Sequence, residues 1–177
     1  IMKYDWIFFD ADETLFHFDA YQGMKLMFSR FGVDFSEQDY SAYQKVNLPL
    51  WVDYQDGRIT ADQLKHTRFE SWAEKLETTT AALNSAFLTA MADICSLLPG
   101  AQELMESLKG KVNMGIITNG FTELQSIRLE RTGMTDYFDH VIISEEVGVA
   151  KPDAQIFEYA HKLVGFPSKQ RVLMVGD

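Results

Sequence analysis

Two aspartates, Asp10 and Asp12, stand two residues apart directly behind the apolar run Tyr4-Asp5-Trp6-Ile7-Phe8-Phe9. On an extended exit from a strand, residues two apart point to the same side, so both carboxylates can reach one reacting group. One can attack phosphorus and form an acyl phosphate. The other can give a proton to the leaving oxygen, then take one from the attacking water. Two carboxylates and a phosphate cannot share a pocket without countercharge. Mg²⁺ held by Asp10 and Asp177 would supply part of it and polarise the phosphoryl oxygens. Lys151, in Lys151-Pro152-Asp153, would supply the rest. The Thr118 hydroxyl and the backbone N–H groups near Asn119 and Gly120 could hold the equatorial oxygens.

An Asp-x-Asp pair alone reads equally well as a solvated turn. The ordered set is far more specific, because each member follows an apolar run. Tyr4 to Phe9, Lys111 to Thr118, His140 to Ser144 and Arg171 to Val175 read as buried strands. Helical stripes lie between them. Leu104, Met105 and Leu108 form one; Leu124 and Ile127 begin another, stopped at Gly133; Ile156, Phe157, Ala160 and Leu163 form a third, closed by Gly165. Strands alternating with helices imply an α/β fold with a doubly wound, Rossmann-like parallel sheet, and such sheets bind ligands at their carboxyl edge. That is where these polar residues fall.

From about Asp19 to Leu98 the alternation stops and only helices are expected. Met24, Met27, Phe28 and Phe31 share one helical face before Gly32. Ser36 is a candidate N-cap for a helix bearing Tyr40 and Tyr43. Thr60 and Gln63 form a capping box ahead of Leu64, Trp72 and Leu76. Leu83, Phe87, Met91 and Ile94 make a fourth stripe, and Pro99-Gly100 marks the return to the α/β pattern.

Composition bounds the function. The 177 residues are 46% hydrophobic and 24% charged, the balance of a folded globular protein. A formal charge of -10 repels nucleic-acid polymers and anionic membranes at long range, yet leaves room for a small phosphorylated substrate beside a metal or lysine. The single Cys95 allows neither an intrachain disulfide framework nor a cysteine-based zinc site, which fits a reducing, cytoplasmic setting. No run reaches the roughly 18 apolar residues of a membrane span. Asp5, Asp10, Asp12 and Glu13 near the start do not suit a secretory signal.

The constellation resembles the haloacid dehalogenase superfamily over nearly the whole chain. FFDADETLF is similar to its first motif, IITNG to its second, the lysine of VAKPD to its third, and VLMVGD to the opening of its fourth. The helical insertion resembles the family's C1-type cap. This implies a split core of residues 1–16 and 99–177 and a cap of residues 17–98. NLPLWVDYQDG, RFESWAEKL, RLERTG and SEEVGVAKPD resemble a narrower group, the bacterial pyrimidine 5′-nucleotidases, which act on nucleoside monophosphates. The resemblance implies Asp10 as nucleophile and Asp12 as general acid/base. It implies Asp10, the Asp12 backbone carbonyl and Asp177 as ligands of Mg²⁺ (with Mn²⁺ or Co²⁺ as substitutes). Thr118, Asn119 and Lys151 would bind phosphate, and the partner would be a small nucleoside monophosphate. Many family members carry Gly where this chain has Glu13; the nucleotidase-like group resembles this chain there. The family's fourth motif continues to a further acid and one more strand, so a chain ending at Asp177 is expected to lack them.

Other readings stay open at this level. A sugar-phosphate phosphatase or phosphomutase would carry the same Asp pair, while a hydrolytic dehalogenase needs no second acid at position 12. A phospho-accepting receiver domain uses similar residue types in a different strand order, without so large an insertion. A non-catalytic binding module is the reading from another class. His17, His66, His140 and His161 follow no metal-ligand spacing. Trp51, Tyr54 and Trp72 could stack on a base but read first as core of the insertion. Phe121 could border substrate or pack the next helix, and Cys95 reads as a small apolar core residue.

Overall fold

The structure is a computed structural model describing residues 2–177. In chain order, strand β1 (Trp6–Phe9) runs into a turn and a two-residue strand β2 (Phe16–His17). Five helices follow: α1 (Ala20–Ser29), α2 (Glu37–Gln55), α3 (Ala61–Thr67), α4 (Glu70–Lys75) and α5 (Thr80–Asp93). Then come β3 (Ser96–Leu97), α6 (Ala101–Leu108), β4 (Asn113–Thr118), α7 (Thr122–Arg131) and β5 (His140–Ile143). The short α8 (Ser144–Val147), α9 (Ala154–Leu163) and β6 (Val172–Val175) complete it. No helix of the described residues is long and apolar enough to cross a membrane.

The chain divides into two compact units. One comprises residues up to Phe18 together with Cys95–Asp177; the other is Asp19–Ile94. In the first, β5, β4, β1 and β6 form a parallel sheet in that order. Phe9 is level with both Ile116 and Val175, and Thr118 with Ile143. Side chains alternate across the sheet as the pleat requires. Ile7, Phe9, Met114 and Ile116 face Met105 of α6 and Leu129 of α7, while Phe8, Ile117 and Ile142 face Ile156 and Ala160 of α9. Helices therefore cover both faces, which is why β1 is an unbroken apolar run. Burying each large side chain here stabilises the fold by about 1.5–3 kcal/mol. The strand order reverses at β1, so Asp10 leaves the sheet at the switch point of a doubly wound fold.

The helical unit is organised by its caps. Ser36 accepts the Asp39 N–H and Asp39 accepts the Ser36 N–H; Thr60 and Gln63 do the same, and Thr79 accepts from Ala82. Its core stacks Phe28 on Phe35 at 4.6 Å with Trp72 at 4.5 Å from Phe28. Gly23 lets α1 meet α5: a Cβ there would stand 2.1 Å from Met91 Sδ. A buried polar group sits in this core. Arg68 donates to Asn84 Oδ1, lies over the rings of Phe69 and Phe87, and neighbours Tyr43, whose hydroxyl donates to Asn47 Oδ1 at 3.1 Å. Burial pushes the Tyr43 phenol up to about 12, against a smaller opposing pull from Arg68.

Several expectations change. The stripe from Leu64 to Leu76 is two helices, because the chain breaks at Phe69 and turns that ring inward onto Tyr43 and Phe87. Phe31 lies beyond the end of α1 and is exposed. The insertion's return is not wholly helical, since Ser96–Leu97 pairs antiparallel with Phe16–His17. Cys95 is half-buried beside that ribbon instead of in a core. Leu104, Ile127 and Leu163 are exposed, so the buried faces of α6, α7 and α9 are rotated from the expected stripes. Phe121 is buried, which favours packing over a substrate border.

Candidate active site

The site grows from the carboxyl ends of β1, β4 and β6 and the loop after α8. The Asp10 N–H donates to the Val175 carbonyl at 2.8 Å, which continues the β1–β6 ladder one residue and fixes where the carboxylate begins. Asp10 Oδ1 accepts the Ala11 N–H at 2.8 Å and stands 2.9 Å from Lys151 Nζ. Its Oδ2 has no partner among the described residues. Beyond Asp10 the chain turns sharply: the Ala11 carbonyl accepts the N–H groups of Leu15 and Phe16, both at 3.0 Å. Glu13 takes a left-handed φ of 58°, the region that costs a side chain most and glycine least. Its Oε1 accepts the Phe18 N–H at 2.7 Å, a compensation glycine could not offer.

Lys151 is held from three sides. Its N–H donates to Asn119 Oδ1 at 2.8 Å, its carbonyl accepts from Asn119 Nδ2 at 2.9 Å, and its Nζ donates to the Ile117 carbonyl at 2.8 Å. The Asn119 side chain is thus engaged with the Lys151 backbone. Thr118, the last residue of β4, is buried, and its Oγ1 accepts the Gly120 N–H at 3.0 Å. A hydroxyl that already accepts keeps its own hydrogen free to donate. At the start of α7 the Thr122 N–H donates to Glu145 Oε1 at 3.0 Å. Two backbone N–H groups near the second motif, those of Gly120 and Thr122, are therefore already bonded within the protein.

Asp12 faces a different partner. Its Oδ1 accepts Arg128 Nη1, from the middle of α7. Arg128 is 1% exposed, its Nη2 donates to Gln125 Oε1 at 2.7 Å, and its guanidinium lies 4.3 Å over the Phe16 ring. The sequence motifs assign no role to Gln125 or to Arg128, although Arg128 opens the string RLERTG. The signal was the buried face of α7, which runs Leu124, Gln125, Arg128 and Leu129, two apolar and two polar positions.

The structure links Asp10, Asn119 and Lys151 by direct bonds, with Thr118 adjoining them on β4, and ties Asp12 to Arg128. Asp177 follows β6 on the neighbouring strand; a Cβ on Gly176 would lie 3.5 Å from Asp10 Cβ. No three His, Cys, Asp or Glu side chains gather into a metal cage among the described residues. The donor set still fits Mg²⁺. That ion is bound through one or two carboxylates and completes its shell with water and phosphate oxygens. Asp10 and Asp177 are hard oxygen donors of that kind.

A family model described as a haloacid dehalogenase-like hydrolase matches residues 4–177. The chain is 59% identical to pyrimidine 5′-nucleotidase YjjG of Escherichia coli over 99% of its own length and 78% of the relative's. It is 32% identical to pyrimidine 5′-nucleotidase PynA of Streptococcus pneumoniae over 99% of its own length and 76% of the relative's. Among solved structures, the magnesium-bound HAD-hydrolase YfnB of Bacillus subtilis matches at a TM-score of 0.86 and 25% identity, covering 99% of this chain and 81% of that one.

Proposed function

We propose, on the premise that the chain belongs to the haloacid dehalogenase-like hydrolases, that it hydrolyses nucleoside 5′-monophosphates, pyrimidine ones foremost, through a phosphorylated Asp10. Similarity to two pyrimidine 5′-nucleotidases supports the substrate class. One observation carries the chemistry: Lys151 Nζ bridges Asp10 Oδ1 and the Ile117 carbonyl, beside Thr118, which gathers nucleophile, cation and hydroxyl at one strand edge.

In this reading Oδ1 is held by the Ala11 N–H and Lys151, which leaves Oδ2 to attack phosphorus. The new Oδ2–P bond forms as the bond from phosphorus to the nucleoside 5′-oxygen breaks. Asp12 delivers a proton to that departing oxygen. Asp12 then takes a proton from water as the water oxygen attacks phosphorus, and the Asp10–phosphorus bond breaks to release inorganic phosphate. The Thr118 hydroxyl donates to an equatorial oxygen while Lys151 offsets the phosphoryl charge. Mg²⁺ would be held by Asp10, Asp177 and the Asp12 carbonyl and would supply charge neutralisation of the phosphoryl group. The Asn119 side chain fixes Lys151, and its backbone N–H would join Thr118 in binding phosphate, as the resemblance implies.

The test is phosphate release from UMP, dUMP, dTMP, AMP and a set of sugar phosphates, with and without Mg²⁺. Metal-dependent release favouring pyrimidine nucleotides supports the proposal. A preference for sugar phosphates moves the assignment to a sugar-phosphate phosphatase or phosphomutase. Absence of release from every ester contradicts the enzymatic reading of the site.

A further inference from the structure

Arginine keeps its charge at any ordinary pH, and taking that charge out of water is expensive unless paired. A buried arginine in the middle of a surface helix therefore marks a specific task. Arg128 is such a residue, with its side chain 2% exposed and that of its partner Asp12 31% exposed. Three contacts hold it: Nη1 donates to Asp12 Oδ1, Nη2 donates to Gln125 Oε1 at 2.7 Å, and the guanidinium rests 4.3 Å from the Phe16 ring centre. Its Nε, also buried, has no hydrogen-bond partner among the described residues. The guanidinium is thus committed at one end to Asp12 and at the other to its own helix.

Gln125 extends the connection. It is buried, its Nε2 donates to the Phe121 carbonyl at 3.1 Å, and that nitrogen lies 2.5 Å from where a Cβ on Gly120 would stand. Gly120 in turn donates to Thr118 Oγ1 at 3.0 Å. A continuous line of contacts therefore runs from Thr118 through Gly120, Gln125 and Arg128 to Asp12. It joins the strand end after β4 to the turn after β1.

We propose that Arg128, seated by Gln125, is a positioning residue for Asp12. It holds the Asp12 carboxylate by Oδ1 alone and leaves Oδ2, which has no partner among the described residues, for proton transfer. This rests on the proposed phosphohydrolase reading, in which Asp12 protonates the departing oxygen. Asp12 is attached to a tight turn and is partly exposed, so its rotamer is not fixed by packing. A planar, charged donor with a second anchor on a rigid helix fixes it.

The test compares kcat/KM for a 5′-mononucleotide, whose alkyl oxygen needs a proton to leave, with p-nitrophenyl phosphate, whose phenolate leaves readily. kcat/KM covers the steps through the first irreversible one, where leaving-group protonation acts. Arg128→Met should lower the nucleotide value by about 10–100-fold and the p-nitrophenyl value by less than about 3-fold. Arg128→Lys, which keeps a cation near Asp12, should show the same selectivity with a smaller loss, within about 10-fold of wild type on the nucleotide. In an Asp12→Asn background, Arg128→Met should change the nucleotide value by less than about 2-fold. Equal losses on both esters, or a full further loss in the Asp12→Asn background, would overturn the positioning role. If Arg128→Met does not fold, the two-ester comparison on Arg128→Lys decides on the same criterion. A wild-type protein silent on both esters would instead sink the phosphohydrolase reading, and the positioning role with it.

Discussion

Asn119 and Lys151 hold each other by a reciprocal pair of hydrogen bonds: the Lys151 N–H donates to Asn119 Oδ1 at 2.8 Å, and Asn119 Nδ2 donates to the Lys151 carbonyl at 2.9 Å. The pair pins the loop after α8 to the end of β4. Only with that backbone fixed does Lys151 Nζ reach both the Ile117 carbonyl and Asp10 Oδ1. Asn119→Ala removes both bonds. It should lower kcat/KM by about 10–100-fold through misplacement of the lysine. It should also cost about 1–2 kcal/mol of stability. Steady-state kinetics beside urea unfolding check this; full activity in Asn119→Ala would show that Lys151 needs no such support.

The Asp12–Arg128 pair makes a stability prediction independent of any activity. Asp12→Ala leaves the buried Arg128 cation without its carboxylate. The expected cost is about 1–3 kcal/mol, less than for a fully buried pair because Asp12 is partly exposed. Adding Arg128→Met to Asp12→Ala should recover part of that loss, since the uncompensated charge is gone. Denaturant titration of the two single variants and the double variant gives the coupling; strict additivity would contradict it.

Gly120 is constrained by what surrounds it. A Cβ there would meet Gln125 Nε2 at 2.5 Å and Thr118 Oγ1 at 3.3 Å. Gly120→Ala must push the Gln125 amide aside and disturb its bond to Arg128. We expect a loss of about 1–2 kcal/mol in stability. We also expect about a 10-fold fall in kcat/KM, since Thr118 lies one contact away and Arg128 two, through Gln125. Wild-type values for both quantities would show that Gln125 relaxes without consequence.

Alkaline pH should weaken the helical unit through Tyr43. Burial raises its phenol to about 12 in the folded protein, from an ordinary value of 10.0. A raised folded-state value means that this contribution is fully present below pH 10. It is lost as pH rises from there through the folded value, because the unfolded chain ionises first. Tyr43→Phe abolishes the ionisation and should flatten the fall in stability between about pH 10 and 12. Unfolding curves across that range check it; an unchanged slope would assign the alkaline loss to other groups.

The sheet was legible because its strands are buried on both faces. A run such as Trp6–Phe9 can then be continuously apolar, and the first polar residue after it marks the strand's carboxyl end. Asp10, Thr118 and the boundary at Gly176 follow from that rule. The capping box at Thr60 and Gln63 was equally readable, because it depends on two residues at a fixed spacing. Tertiary effects were not. The break at Phe69 depends on Tyr43 and Phe87, both distant in sequence. The pairing of Ser96–Leu97 with Phe16–His17 joins short segments too brief to carry a period. Arg128 was hidden for a sharper reason. A charged residue on a helix usually faces water, and here the exposed member is Ile127 while Arg128 is buried against Asp12. Asn119 showed its residue type but not its task, because its partner lies in another loop.

Phosphoryl transfer through Asp10 is the step on which the proposed function rests. Its most direct test is acid quench of wild type and Asp12→Asn after mixing with a 5′-mononucleotide labelled in its phosphate, in the presence of Mg²⁺, followed by peptide mapping of the labelled protein. Label is expected on the peptide containing Asp10, with more trapped in Asp12→Asn because water activation is slowed, and none in Asp10→Asn. Label at another residue, or turnover surviving intact in Asp10→Asn, would contradict it.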